Sequence, residues 1–288
     1  MQNSASLSEL SLIVHDRLTL YNIVQLNQKP HLEFVLIAVM PIHKPMTDKA
    51  ATNHFEMLDI ERVRQTLYDS NIGHTIVYQQ SVASTMPIAH ELANLPSTRS
   101  GTLVVAEEQS AGRGRLDRSW QARMGSSLLC SLLLKEEQLP SQPVVLVMLA
   151  GIAIVNALTA LTPSLSGLCG LKWPNDVLLG HDRQAAKKVS GILIENQLQG
   201  SQLSHTVVGF GINVNQSEQE LPSLPNNSLQ PTSIYSFVGQ LMDRSTLLIE
   251  LARQWEALLK QNQQDHTSIF RQWRSAQWTI GQNIDVHN

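Results

Sequence analysis

Charged and amide side chains stand beside glycine or proline in four short stretches of the chain. The first is "EEQSAGRGRLDRSW", Glu107 to Trp120, where Gly112 and Gly114 alternate with Arg113 and Arg115. Glycine lets a backbone turn its N–H groups toward a ligand, and the arginine fork suits carboxylate or phosphate. The stretch therefore reads either as an anion-gripping loop or as a solvated basic turn, and its own residues leave both open. It is not a Walker loop, and Asp117 at the last position breaks the dinucleotide fingerprint G-x-G-x-x-G.

The second is "LKWPNDVLL", in which Lys172 and Asp176 flank Pro174 inside an apolar run. It could be an exposed turn between strand ends. It could equally aim Lys172 into a pocket to meet an anion, with Asn175 and Asp176 orienting a ligand or metal. A lysine among apolar neighbours is costly to bury unless something pairs with it. The third, "KKVSGILIE", puts Gly191 inside a strand-like run that also carries Lys188. Such a glycine marks a bulge or the close approach of another group. In the fourth, "VVGFGINVN", Gly209 and Gly211 interrupt a β-rich run that continues to Asn213 and Asn215, and a structural bulge explains it as well as a site does.

Elements must hold these stretches in place. Leu58, Val63 and Leu67 give a helical spacing, and "HTIVYQQ" reads as a strand. Ser84-Thr85 are helix-capping types before "MPIAHELANL". "TLVVAEE" and the strongly apolar "SSLLCSLLL" read as strands, the latter buried on both faces. The apolar run from Val144 to Leu161 is bracketed by Pro143 and Pro163 and interrupted by Asn156 and Thr159, which favours a buried helix over a membrane span. Leu247, Leu251, Trp255 and Leu259 predict another helix. Strands mixed with helices without regular alternation predict an α+β fold with a mixed sheet, not a Rossmann fold. Residues 1–52 read as an N-terminal extension ending in a polar linker, with no helix-turn-helix pattern and no secretory signal, so cytoplasm is the expected location.

The 288 residues carry 21 basic and 24 acidic side chains, a net charge of −3, which argues against a chain-wide nucleic-acid footprint. Cys130 and Cys169 have no metal or redox spacing, and the ten histidines form no HExxH-type pair, so no protein metal cage is expected.

Taken together, "STM" at 84–86, "EEQSAGRGRLDRSW", "GSSLLCSLLL", "LKWPNDVLL", "KKVSGILIE", "VVGFGINVN" and "PTSIYSFVG" closely resemble the biotin protein ligases, over Leu58 to the C-terminus. The resemblance implies a class II synthetase-like biotin/lipoate ligase catalytic domain at 53–276: a mixed β-sheet flanked by helices. It implies that residues 277–288 begin a truncated SH3-like domain. The implied reaction joins biotin to ATP with Mg²⁺, giving biotinyl-5′-AMP and pyrophosphate. It then biotinylates one lysine of a carboxyl-carrier domain, such as that of acetyl-CoA carboxylase.

Carried over residue by residue, the resemblance makes Lys172 and Arg115 catalytic. It places Ser84, Thr85, Met86, Gln109, Arg113, Gly114, Trp120 and Gly191 with Lys172 and Arg115 around biotin, and Arg113, Arg115, Asn175, Asp176, Lys188 and Asn213 on the nucleotide side. Arg113, Gly114 and Arg115 would close over the adenylate, with Trp120 as an apolar wall or hinge. Two positions depart from the pattern: Met86 where many bacterial members have asparagine, and Asp117 where a third glycine is common. DNA and membrane partners are not expected, and a homodimer is. The alternatives are a lipoate or octanoate ligase or transferase, which lacks support in the absence of an "RRxSGGG"-like string, and a non-catalytic biotin sensor.

Overall fold

A computed structural model describes residues 55–282 except 117, 141, 201, 226 and 227. The segment 1–52, Asp117 and the strand expected to begin near the C-terminus, beyond 282, lie outside the described residues.

The chain runs α1 (Ile60–Thr66), β1 (Ile76–Val82), α2 (Thr85–Ala93), β2 (Thr102–Gln109), β3 (Gly112–Arg113), β4 (Ser119–Trp120) and β5 (Ser127–Lys135). There follow α3 (Val144–Leu161), β6 (Cys169–Lys172), β7 (Asp176–Leu179), β8 (Lys187–Gln199) and β9 (Gln202–Asn213). The last elements are α4 (Ile234–Val238), α5 (Arg244–Gln264) and α6 (His266–Ala276). Seven strands form one sheet in the order β1-β2-β5-β9-β8-β7-β6, and β3-β4 form a separate ribbon. Only β1 and β2 run parallel within the large sheet; its other neighbours are antiparallel.

Side chains alternate across a strand, and the strands use that alternation to serve two layers. Leu128, Cys130, Leu132 and Leu134 of β5 and Val208, Phe210 and Ile212 of β9 join the large core with α3 and α5. Leu133 and Val207 point the other way, against Met86 and Ala89 of α2. Burial on both faces explains why β5 reads as an almost unbroken apolar run. Its one interior hydroxyl, Ser131, lies on the α2 face.

Helix α3 has a mean hydropathy of 2.5, enough for a membrane span by length and composition, yet it packs among α5, α6 and β6–β8 as a core helix. All four apolar residues that predicted α5 are buried, which is the stripe a core-facing helix needs. One ionic link crosses this core: Arg244 at the start of α5 donates to Glu107 of β2 at 2.6 Å. Glu107 also accepts from the Leu58 amide at 2.6 Å and from Tyr78 at 3.1 Å. The link therefore ties the segment before α1, the sheet and α5 into one unit.

Candidate functional site

The strand register draws one row across the α2 side of the sheet. Leu129 faces Gly211, Gly211 faces Gly191, Gly191 faces Asp176, and Asp176 faces Lys172. Cross-strand partners share a face, so two adjacent glycines open a clearing between an apolar strand and an acid–base pair of strand ends. The next row repeats the pattern with Ser131, Gly209 and Leu193. With strands about 4.8 Å apart, Lys172 lies about 14 Å from Gly211, about the length of an extended small acid with its activating group.

Both glycine stretches are explained by close approach. The ladders shift register at Val177/Leu178 and at Gln197/Leu198, and not at Gly191, Gly209 or Gly211, so the bulge reading fails at these three positions. A Cβ at Gly211 would stand 2.4 Å from the Trp120 ring, and one at Gly209 would stand 2.5 Å from the Met86 sulfur. At Gly191 it would meet Trp120 and the Lys188 ammonium, both at 3.0 Å. Trp120 therefore lies against Gly191 and Gly211, and Met86 against Gly209.

The acid end comes from the capped start of α2. Ser84 accepts from the Met86 amide, which seats the helix N-terminus. Gln109 at the end of β2 accepts from the Thr85 amide at 2.7 Å and the Thr85 hydroxyl at 3.1 Å. Its carbonyl is thus occupied, and among the described residues its amide N–H groups have no partner. Thr85 shares a further 2.7 Å bond with Ser131, so its hydroxyl is committed to holding Gln109. Sequence reasoning missed Ser131, although a lone hydroxyl inside an apolar strand was the available signal.

At the other end Lys188 pairs with Asp176 at 2.7 Å and lies 5.4 Å over the Trp120 ring. Among the described residues Lys172 has neither an ion-pair nor a hydrogen-bond partner, although it is half-buried. A cation so placed is costly unless an anion arrives.

The ribbon β3-β4 carries the arginines. Gly112 faces Trp120 and Arg113 faces Ser119, while the Gly114 amide closes the turn on the Arg118 carbonyl at 2.7 Å. A Cβ at Gly112 would be 2.4 Å from the Trp120 carbonyl, which is why glycine stands there. Arg115 donates to Asn175 at 2.9 Å, and Asn175 is fixed by a 2.9 Å bond to the Ile192 carbonyl. Arg113 pairs with Glu195 of β8. The ribbon, the Pro174–Asn175 turn, the start of α3 and β8 enclose a cleft of about 770 Å³.

Asn213 follows Gly211 by two residues, on the same face of β9. Asn213 is buried, donates to the Thr232 carbonyl at 3.0 Å and accepts from Gln216 at 3.3 Å, so both ends of its amide are used by the protein. Glu195, His90 and His205, which meet beside the ribbon, are scattered in sequence and gave no spacing to read.

Comparison with known proteins agrees with this geometry. Residues 78–213 match the family model "Biotin/lipoate A/B protein ligase family", a span that begins in β1 and ends at β9. The chain is 32% identical to the bifunctional ligase/repressor BirA of Bacillus spizizenii, over 79% of this chain and 67% of that protein. It is 29% identical to the biotin–[acetyl-CoA-carboxylase] ligase of Mycobacterium tuberculosis, over 65% of this chain and 64% of that one. Among solved structures, the biotin protein ligase of Aquifex aeolicus in complex with biotin and ATP superposes with a TM-score of 0.55. That match has 28% identity and covers 71% of this chain and 78% of the other. With the mixed sheet, the glycine clearing and the arginine ribbon all inside or bordering the matched span, the chain belongs to the biotin/lipoate A/B protein ligase family.

Proposed function

We propose that this chain is a biotin–protein ligase that activates biotin with ATP and passes it to a lysine of a biotin carboxyl-carrier domain. The observation that carries the reading is Lys172, a half-buried cation with no partner among the described residues, at the end of a glycine-floored row.

In the first step a biotin carboxylate oxygen bonds to the α-phosphorus, and the bond to pyrophosphate breaks. Two anions must be brought together, and Lys172 can neutralise both, so catalysis is positional and electrostatic. In the second step the carrier's amine attacks the acyl carbon, the acyl–oxygen bond breaks, AMP leaves and the nitrogen loses its proton. Gln109 offers free amide donors at the acid end and Trp120 an apolar wall, which suits a bicyclic ring with a ureido group. Arg113 and Arg115 on the ribbon limit access of water to a labile acyl phosphate. Asn175, Asp176 and Lys188 border the nucleotide end, where Asp176 and Lys188 already neutralise each other. Among the described residues no group of three or more histidine, cysteine, aspartate or glutamate side chains could hold a metal. In this reading Mg²⁺ would enter with ATP and offset the charge of its phosphates.

The Mycobacterium tuberculosis ligase and the Aquifex aeolicus structure are named for biotin, which favours it over lipoate or octanoate. Incubation of the purified chain with ATP, Mg²⁺ and each acid in turn, followed by mass spectrometry, tests the reading. Biotinyl-5′-AMP and pyrophosphate are expected with biotin. An adenylate formed only with lipoate or octanoate would replace the substrate, and bound biotin without adenylate would make the chain a sensor.

A further inference from the structure

The Glu195 carboxylate stands between the arginine ribbon and a pair of histidines. One of its oxygens pairs with Arg113, and the other meets His90 Nε2 at 3.0 Å. His90 Nδ1 meets His205 Nε2 at 3.0 Å, and His205 Nδ1 meets Ser204 Oγ at 3.4 Å. One assignment of protons satisfies all three side-chain contacts. Ser204 donates to His205, His205 Nε2–H to His90, and His90 Nε2–H to Glu195. Arg113, His90 and Glu195 come from β3, α2 and β8, and Ser204 and His205 from β9. Glu195 lies on the same face as Gly191, four residues farther along β8 and so about 13 Å away. Arg115, by contrast, is held at the Asn175 turn.

Resting on the reading that the ribbon covers an acyl-adenylate, we infer that Glu195 is a positioning residue for Arg113, and that the His90–His205 pair sets how firmly it holds. Any anion that Arg113 is to grip must compete with this carboxylate. Two imidazoles in contact share at most one proton, because like charges at that distance oppose each other. Among the described residues Lys135 of β5 also acts on His205. Burial, then His90, then Lys135 hold the His205 pKa below the ordinary histidine value. With the pair neutral, Glu195 offers its full charge to Arg113. A proton taken up by the pair would add positive charge beside the same carboxylate and weaken its hold on Arg113.

Trypsin digestion without biotin or ATP tests this, comparing cleavage after Arg113, Arg115 and Arg118 with cleavage after Arg253 and Lys260 in α5. Glu195→Gln should speed ribbon cleavage about two- to fivefold at about pH 7.5, the range of an exposed ion pair, and leave α5 cleavage unchanged. The ratio of variant to parent should fall toward one at about pH 6, and should stay constant with pH when His90→Gln is introduced into both. Equal ribbon cleavage in variant and parent would overturn the inference. So would a parallel rise in α5, which marks general loosening, and a ratio independent of pH would remove the histidine part. None of these readouts uses the reaction, so failure of biotin adenylation would overturn the functional reading separately.

Discussion

Replacing Gly211 with alanine puts the closeness of Trp120 to the sheet under direct test. The added methyl would stand 2.4 Å from Trp120 Cε2, 2.7 Å from Nε1 and 2.9 Å from Cδ2. Carbon atoms in contact prefer about 3.5–4.0 Å, so the indole or the strand must move by about 1 Å. The backbone at Gly211 is not in the left-handed region, so alanine brings no dihedral strain there. A strand alanine is in fact favoured over glycine by about 0.5–1 kcal/mol. Overpacking of a tight site costs about 1–3 kcal/mol, which leaves Gly211→Ala less stable by about 0.5–2 kcal/mol. In a Trp120→Ala background the clash disappears, and the same substitution should stabilise by about 0.5–1 kcal/mol. The coupling between the two positions is then about 1–3 kcal/mol, measured as a double-mutant cycle by urea unfolding. Because the indole also walls the site, Gly211→Ala should lower biotin-dependent pyrophosphate exchange about 10- to 100-fold. The same Gly211→Ala effect in both backgrounds would refute the packing argument.

Other consequences follow from buried charge and burial itself. Arg244→Met leaves Glu107 buried with no guanidinium and should cost about 3–5 kcal/mol in denaturant unfolding, and a loss under about 1 kcal/mol would contradict the link. Burial pushes the Cys169 thiol up to about 12 and raises Cys130 as well, so neither should react with Ellman's reagent in the folded chain, and both should react in denaturant. Rapid labelling of the native protein would refute that. His74 is held below the ordinary histidine value by burial and then by Arg99, and His205 by burial, His90 and Lys135. The unfolded chain therefore takes up these protons first, and stability should decline as pH falls below about 6.5. Chemical denaturation at several pH values should show a flatter decline in the His74→Gln/His205→Gln double variant, and an unchanged slope would exclude both groups.

The parts of this fold that sequence made legible are those with a period or a long apolar run. β5 and α3 declared themselves by composition, and α5 by residues four apart, because burial on a face dictates those patterns directly. At the site, Gly191, Gly209 and Gly211 were visible as oddities, but choosing between bulge and close approach required knowing that Trp120 and Met86 come to lie on them. Lys172 and Asp176 were visible for being charged in apolar company, whereas the engagement of Asp176 with Lys188 depends on the hairpin β6–β7 pairing with β8. Asn213 was assigned by resemblance alone, and only the tertiary packing shows that its amide meets Thr232 and Gln216. Glu195, His90 and His205 could not be grouped at all, since only the β8–β9 register and the docking of α2 bring them together.

Lys172 offers the most direct test of the account. Because its ammonium is half-buried and lacks a partner among the described residues, removing it should leave stability unchanged or slightly improved, as expected of a residue kept for activity at a cost in stability. Biotin-dependent exchange of labelled pyrophosphate into ATP, measured alongside thermal unfolding, separates the two roles. The parent should exchange, and Lys172→Ala should lose about 100-fold or more with an unfolding midpoint at or above the parent's. Exchange at the parental rate in Lys172→Ala, or no biotin-dependent exchange in the parent, would contradict the account.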